Sequence, residues 1–280
     1  TEFEITFLVD GIRYQYGFEL TADRILEEWL LVYTKQKPQT WFSRKYNPDS
    51  KIDEYEFSSY LKGQRKIWQE ATRPNALFLS IAVQLNSDQL IPIFNWIVND
   101  IVILKGGHNP IPDYSLSMLQ NNDGKKDIIE FLGDADISIA DIDVVSRKGL
   151  VKEFKFDATG VTEVRDAEQE MKAPVFFHKT EKGSATFEFD DESEGTKKLF
   201  CYAAPILEIL ANGKLLIVDE LDSSLHTLLV RRLVSLFHSQ ELNKNGAQLF
   251  FSTHDTSLLD LDLFRRDQVW FAEKNNDQAT

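Results

Sequence analysis

Leu215-Leu216-Ile217-Val218-Asp219-Glu220 is the stretch that decides how this chain is read. Four apolar residues in a row lead straight into two carboxylates. A short, continuous apolar run suits a strand of a parallel sheet covered on both faces. Strand and helix patterns alternate after it. Leu225, Leu228, Leu229, Leu233, Leu236 and Phe237 fall on one helix face. Gln248–Phe251 reads as a second apolar strand and Gln268–Phe271 as a third. This rhythm predicts right-handed crossovers and a ligand edge at the C-terminal ends of the strands. Asp219-Glu220 stands at one such end, and His254 lies just past another.

In a phosphoryl-transfer site, a carboxylate at the first of these positions holds Mg²⁺ or its waters, and one at the second polarises the attacking water. Neighbouring strand residues point to opposite faces, so Asp219 and Glu220 divide these roles only if the chain turns at once. Leu221-Asp222-Ser223-Ser224 supplies such a turn. A strand ending in a solvated acidic loop would read the same way. His254, in Phe250-Phe251-Ser252-Thr253-His254-Asp255, is placed to hydrogen-bond a γ-phosphate, with Asp255 or Thr253 fixing its tautomer. An ordinary loop histidine fits that pattern too. Upstream, Ser193-Glu194-Gly195-Thr196 opens a helix with small residues that leave backbone N–H groups and the positive helix end open to an anion. Lys197 and Lys198 add charge, offset by Asp190, Asp191, Glu192 and Glu194. An N-cap in which Ser193 and Thr196 satisfy helix donors is the alternative. The three clusters in one α/β block, in this order, favour a nucleotide site over three coincidences.

Working outward, Leu199–Leu210 reads as a mostly apolar helix ended by Asn212-Gly213. Strand candidates precede it at Ile142–Val145, Val151–Phe156, Thr162–Val164, Val175–His178 and Thr186–Phe189. Helical spacing marks Ser58–Ala71, Leu77–Leu85, Asp88–Leu104 and Lys126–Leu132, punctuated by Pro74, Gly106-Gly107, Pro110 and Pro112. Phe3 to Leu20 reads as a hairpin about Asp10-Gly11, and Ile25 to Arg44 continues it as a meander. Three regions follow: an antiparallel β subdomain over 1–55, a helical insert over 56–135, and a C-terminal α/β part over 136–280.

An apolar fraction of 42% with 12% aromatic residues is that of a globular protein, which excludes a disordered or fibrous chain. No stretch approaches the ~18–20 consecutive apolar residues of a membrane span, and no secretory leader is recognisable. The single cysteine, Cys201, fits a reducing cytoplasm and rules out an intramolecular disulfide framework. A net charge of −14 repels nucleic acid on average, so binding it would need a local basic stripe. Lys62, Arg65, Lys66 and Arg73 could form one, or could simply be a solvated helix face.

On these residues the chain resembles the ATP-binding-cassette superfamily in its soluble SMC/Rad50/RecF-like branch. Within that branch it is most similar to AAA15-type ATPases of phage-defence and abortive-infection operons. Leu215–Glu220 resembles Walker B with its catalytic glutamate, and Ser193-Glu194-Gly195-Thr196 the signature motif. Ser223-Ser224-Leu225-His226 lies where the D-loop belongs, and His254 matches the switch histidine. The resemblance implies an α/β fold, an ABC-type P-loop NTPase head with an antiparallel β-meander and an inserted helical subdomain. It implies ATP and Mg²⁺ as cofactors, with Asp219 at the metal, Glu220 and His254 catalytic, and Ser193, Gly195, Thr196, Ser223 and Ser224 binding nucleotide across a head-to-tail dimer or higher homo-oligomer. The phosphate loop Gly-x-x-x-x-Gly-Lys-Ser/Thr is absent from these 280 residues and is expected before Thr1. Neither Gly63-Gln64-Arg65-Lys66 nor Gly106-Gly107 has its spacing. The implied role is a cytoplasmic defence ATPase, not bound to membrane, controlling an effector such as a nuclease or toxin. The compact helical insert, with no sustained heptad repeat, speaks against a long-armed SMC protein. A RecF/Rad50-like DNA-maintenance ATPase is the alternative, with nucleic acid as its partner.

Overall fold

Asp10 and Gly11 take φ of 50° and 76°, the left-handed pair that a two-residue hairpin loop requires. Strands β1 (Glu2–Val9) and β2 (Ile12–Leu20) therefore pair antiparallel with Val9 opposite Ile12. β3 (Ile25–Tyr33), β4 (Gln39–Asn47) and β5 (Ile52–Phe57) extend the sheet in sequence order. Period-two alternation sends Phe7, Tyr14, Tyr16, Leu30, Val32 and Phe42 into one core. Three short helices close it: α1 (Arg65–Ala71), α2 (Phe78–Gln84) and α3 (Ile91–Asn99). They contribute Trp68, Phe78, Leu79, Ala82 and Ile93. The helix expected from Ser58 begins only at Arg65, because Gly63 sits at φ 104° and no helix runs through that conformation.

This core contains a buried carboxylate. Glu28, fully buried on β3, accepts from the amides of Phe78 (2.6 Å) and Leu79 (3.0 Å) and from the Tyr16 hydroxyl (3.0 Å). It thereby satisfies the first donors of α2, where the helix dipole also favours negative charge. Arg44, equally buried, approaches Glu28 at 4.0 Å, binds Asp53 at 2.8 Å, and donates to the Ala76 carbonyl at 2.7 Å. Desolvation nevertheless raises the Glu28 carboxyl above the ordinary carboxylate range.

The computed structural model describes residues 1–104, 112–134, 139–157, 160–180 and 183–273. The chain divides into two compact units, Thr1–Ile101 and Val102–Thr280. Gly106-Gly107 and Pro110, read above as breaks, lie outside the described residues.

The second unit is built on β6 (Ile101–Leu104), α4 (Asp113–Met118), α5 (Asn122–Asp134), β7 (Ile139–Asp157), β8 (Gly160–Thr180) and β9 (Gly183–Glu188). α6 (Glu194–Asn212), β10 (Leu215–Val218), α7 (Thr227–His238) and β11 (Gln248–Phe251) complete it. β7, β8 and β9 form an antiparallel sheet in which the separate short strands read from sequence merge into two long ones. β11, β10 and β6 form a second sheet in that order, with β10 and β11 parallel.

Two expectations fail here. The helix read over Asp88–Leu104 stops at Asn99, and its last four residues are strand β6. A run of β-branched and leucine residues carries no period that separates helix from strand. The strand expected at Gln268–Phe271 is absent; Arg266–Gln268 form a single 3-10 turn, and Trp270 and Phe271 are exposed. β6 is the third strand instead.

Helix α6 is the axis of this unit. Leu199, Phe200, Ala203, Ile206 and Ile209 are buried along it, and it stops at Gly213, whose φ of 68° a side chain would strain. Pro205 interrupts its hydrogen-bond ladder. Beside it, the buried Ser115 hydroxyl of α4 donates to the Phe200 carbonyl (2.6 Å) and accepts from the Ala204 amide (3.4 Å). No helix among the described residues is long and apolar enough to cross a membrane.

Candidate functional site

The parallel register places Val218 opposite Phe251, so the residues that follow each strand, Asp219-Glu220 and Ser252-Thr253-His254, emerge side by side. The pairing continues one step past the strands. Ser252 donates its amide to the Val218 carbonyl and accepts the Leu221 amide on its own carbonyl, both at 3.0 Å. Its hydroxyl does more: it donates to Asp219 Oδ1 at 2.6 Å and accepts from the Glu220 amide at 2.8 Å. On the other side of β10, the Asp219 amide donates to the Leu104 carbonyl at 3.3 Å. Asp219 is thus held between β6 and β11 at the mouth of the sheet.

The chain turns at once, as the two-carboxylate reading requires. Glu220 takes φ 52° and Ser224 φ 61°, both left-handed and unusual for residues with a side chain. Between them Ser223 donates to the Glu220 carbonyl (3.0 Å) and Leu225 to the Asp222 carbonyl (3.1 Å). The turn swings the Glu220 carboxylate toward His254, whose Nε2 lies 3.8 Å from Glu220 Oε1. Both side chains face solvent. The His254 amide donates to Asp222 Oδ1 at 3.3 Å.

Asp255 does not serve His254 as expected. Its carboxylate accepts from Thr227 Oγ1 (2.7 Å) and from the Ser257 hydroxyl (2.6 Å) and amide (2.9 Å). Those bonds, from Ser257 first and then Thr227, hold it below the usual carboxylate range. Thr253 Oγ1 likewise accepts from the Asp255 amide. Both residues anchor the turn after β11, and Asp255 ties it to Thr227 at the start of α7.

The helix start forms the second cluster. Ser193 is the N-cap of α6, its hydroxyl accepting from the Thr196 amide at 3.1 Å and lying 2.8 Å from Thr196 Oγ1. Ser193 is exposed and Thr196 buried. Gly195 faces the turn after β10: a Cβ built on it would lie 3.5 Å from the Ser224 carbonyl oxygen. One turn along the same helix, the Lys198 ammonium donates to the Ser223 carbonyl. Ser193, Gly195, Thr196, Ser223 and Ser224 therefore gather on one side, and Asp219, Glu220 and His254 on the other. The loop Glu220–Ser224 joins the two groups.

Sequence reading misses Ser252 and the contact that Lys198 makes. Ser252 could have been found from the parallel register, which sets it across from Asp219. Lys198, expected with Lys197 to add charge at the helix start, is only 5% exposed and donates to the loop after β10 instead. Burial holds its ammonium below the usual lysine range, while Asp222 and Glu220 draw it back up.

The family model described as "AAA domain, putative AbiEii toxin, Type IV TA system" matches residues 1–260. The chain belongs to that family, and through it to the ABC/SMC-like P-loop ATPases. No curated protein matches it.

Proposed function

We propose that this member of the AAA-domain family is an Mg²⁺-dependent ATPase with an ABC-type head, which dimerises or oligomerises head to tail around ATP and controls a companion effector in abortive infection or phage defence, as AAA15-type ATPases do. The observation that carries the proposal is the pairing of Asp219-Glu220 with Ser252 and His254 at adjacent parallel strand ends. Such ends are where open α/β sheets bind ligands.

The residues fit magnesium as a partly hydrated, phosphate-borne ion. Mg²⁺ keeps several waters and takes one or two carboxylates together with substrate phosphates. Asp219 offers one carboxylate, steadied by Ser252, and no group of three or more His, Cys, Asp or Glu suited to a metal occurs among the described residues. When bound, ATP with Mg²⁺ supplies the phosphoryl group and the charge that the site acts on. Glu220 then orients and polarises a water, and His254, 3.8 Å away, donates toward phosphate oxygen. Ser193 and Gly195, at the N-terminus of α6, cap the phosphate held by a second subunit.

Glu220→Gln in the full-length protein tests this reading. It keeps the shape of the side chain and removes the base, so hydrolysis should fall by roughly 10²–10⁴-fold, while ATP binding and ATP-dependent association persist. An unchanged rate would mean that Glu220 is not the base and that the ATPase reading of this strand end is wrong.

A further inference from the structure

The geometry points to Lys198 as a positioning residue that pins the Glu220–Ser224 loop onto helix α6, so that the residues acting on one nucleotide move with those presented to the next. The inference rests on the proposed composite site and adds a coupling element to it. Gly195, Lys198 and Tyr202 are spaced three and four apart, which puts them on one helix face. That face meets the loop at two points. Gly195 lies under the Ser224 carbonyl, and the Lys198 ammonium donates to the Ser223 carbonyl. The lysine stem is buried, and its ammonium lies 5.5 Å from the Tyr202 ring centre. Leu221 and Leu225, flanking the contact, are buried in the same core as Leu199 and Tyr202.

A lysine placed this way does what an apolar residue could not. Glu220 and Ser224 both hold left-handed conformations, which persist only when their surroundings over-determine them. Asp222 and Glu220 crowd negative charge onto a loop of five residues, and Lys198 is the cation set beneath it. Its bond reaches a backbone carbonyl, so loop side chains can vary without changing it. Drawing the loop away from α6 would break the ammonium–carbonyl bond and uncover Leu221 and Leu225, so loop and helix start shift as one piece.

The test uses the full-length protein with Lys198→Met, which keeps the stem and removes the donor, and Lys198→Arg, which keeps a cationic donor. Hydrogen exchange without nucleotide reads the loop directly. In K198M the Ser223 and Leu225 amides should exchange faster, on the order of tenfold, with β10 amides unchanged. Steady-state ATP hydrolysis should show kcat down about tenfold or more with KM little altered, and K198R should recover most of both losses. Wild-type loop protection and kcat in K198M would overturn the inference, as would a K198R variant impaired as badly as K198M. If K198M does not fold, K198R alone decides: retained protection and rate support the pin, and loss of either refutes it. The exchange arm needs no hydrolysis. Equal rates in wild type and Glu220→Gln would therefore sink the catalytic reading while leaving the fate of the pin to be read separately.

Discussion

Replacing Ser252 by alanine removes one oxygen atom that serves both carboxylate-bearing residues of the strand end. The hydroxyl donates to Asp219 Oδ1 at 2.6 Å and accepts from the Glu220 amide at 2.8 Å. A hydrogen bond to a charged group contributes ~1.5–3 kcal/mol and a neutral one ~0.5–1.5 kcal/mol. Asp219, Glu220 and Ser252 are all exposed, so water replaces part of what is lost. A stability loss of about 1–2 kcal/mol follows, or roughly 2–8 °C in Tm for a unit of this size. The catalytic effect should be larger than that small loss suggests. Without its acceptor, the Glu220 amide is free to leave the left-handed turn, and a displacement of ~1 Å can cost about 10²-fold in rate. Ser252→Thr keeps the hydroxyl and should stay within about threefold of wild type. Urea unfolding and single-turnover ATP hydrolysis of the full-length variants measure the two effects. An alanine variant that loses stability but hydrolyses ATP at the wild-type rate would refute the claim that this hydroxyl positions Glu220.

Two further substitutions probe the scaffold. Glu28→Gln places an NH₂ group against either the Phe78 or the Leu79 amide, which donate to different carboxylate oxygens, in a fully buried pocket, and should destabilise the N-terminal unit by about 2–3 kcal/mol in urea unfolding. Because the folded carboxyl titrates above its ordinary value, its own linked stability is full below the unfolded pKa and is lost as pH rises through the folded one. The gap between wild type and variant should therefore narrow from pH 4 toward neutrality; a gap that widens would reverse the assigned direction. Ser115→Ala removes the bridge between the Phe200 carbonyl and the Ala204 amide beside Pro205, for a loss of about 2 kcal/mol. A change below ~0.5 kcal/mol would show that the α6 ladder closes on itself without that hydroxyl.

What could be read from the residues, and what could not, follows the range of the forces involved. Asp10-Gly11, the Gly213 stop and the apolar strands Leu215–Val218 and Gln248–Phe251 are local: backbone strain or an unbroken apolar run specifies each by itself. Ile101–Leu104 reads as helix because the helical pattern before it runs into it without a break, and only pairing with β10 makes it a strand. Gln268–Phe271 fails in the opposite sense: the strand pattern is there, yet Arg266–Gln268 form a 3-10 turn and Trp270 and Phe271 stay exposed. The contact of Lys198 with Ser223 is hidden for a third reason. Nothing in Lys197-Lys198 says which lysine faces the loop, and the answer depends on which side of α6 the turn after β10 lands. The candidate site therefore emerged from sequence as positions, while its couplings through Ser252 and Lys198 required the fold.

The charge pattern of the strand end bears on how such a site could work. Asp219, Glu220 and Asp222 lie within four positions, in a chain whose net charge is −14. A nucleotide triphosphate brought there adds further negative charge, and Lys198 is committed to the Ser223 carbonyl beneath the loop. Exposed charges are screened over ~10 Å at 0.1 M salt, but groups in contact are screened far less. On the proposed reading, this loop cannot hold phosphate by itself. Binding must draw on Mg²⁺ and on donors from outside the loop, among them the Ser193–Thr196 helix start of another subunit. Assembly and nucleotide binding then become one equilibrium: ATP affinity should rise with protein concentration and fall on dilution below the dissociation constant of the assembly. Nucleotide affinity measured across a hundredfold range of protein concentration decides the matter. A constant Kd would mean that one subunit suffices and that the composite arrangement is wrong.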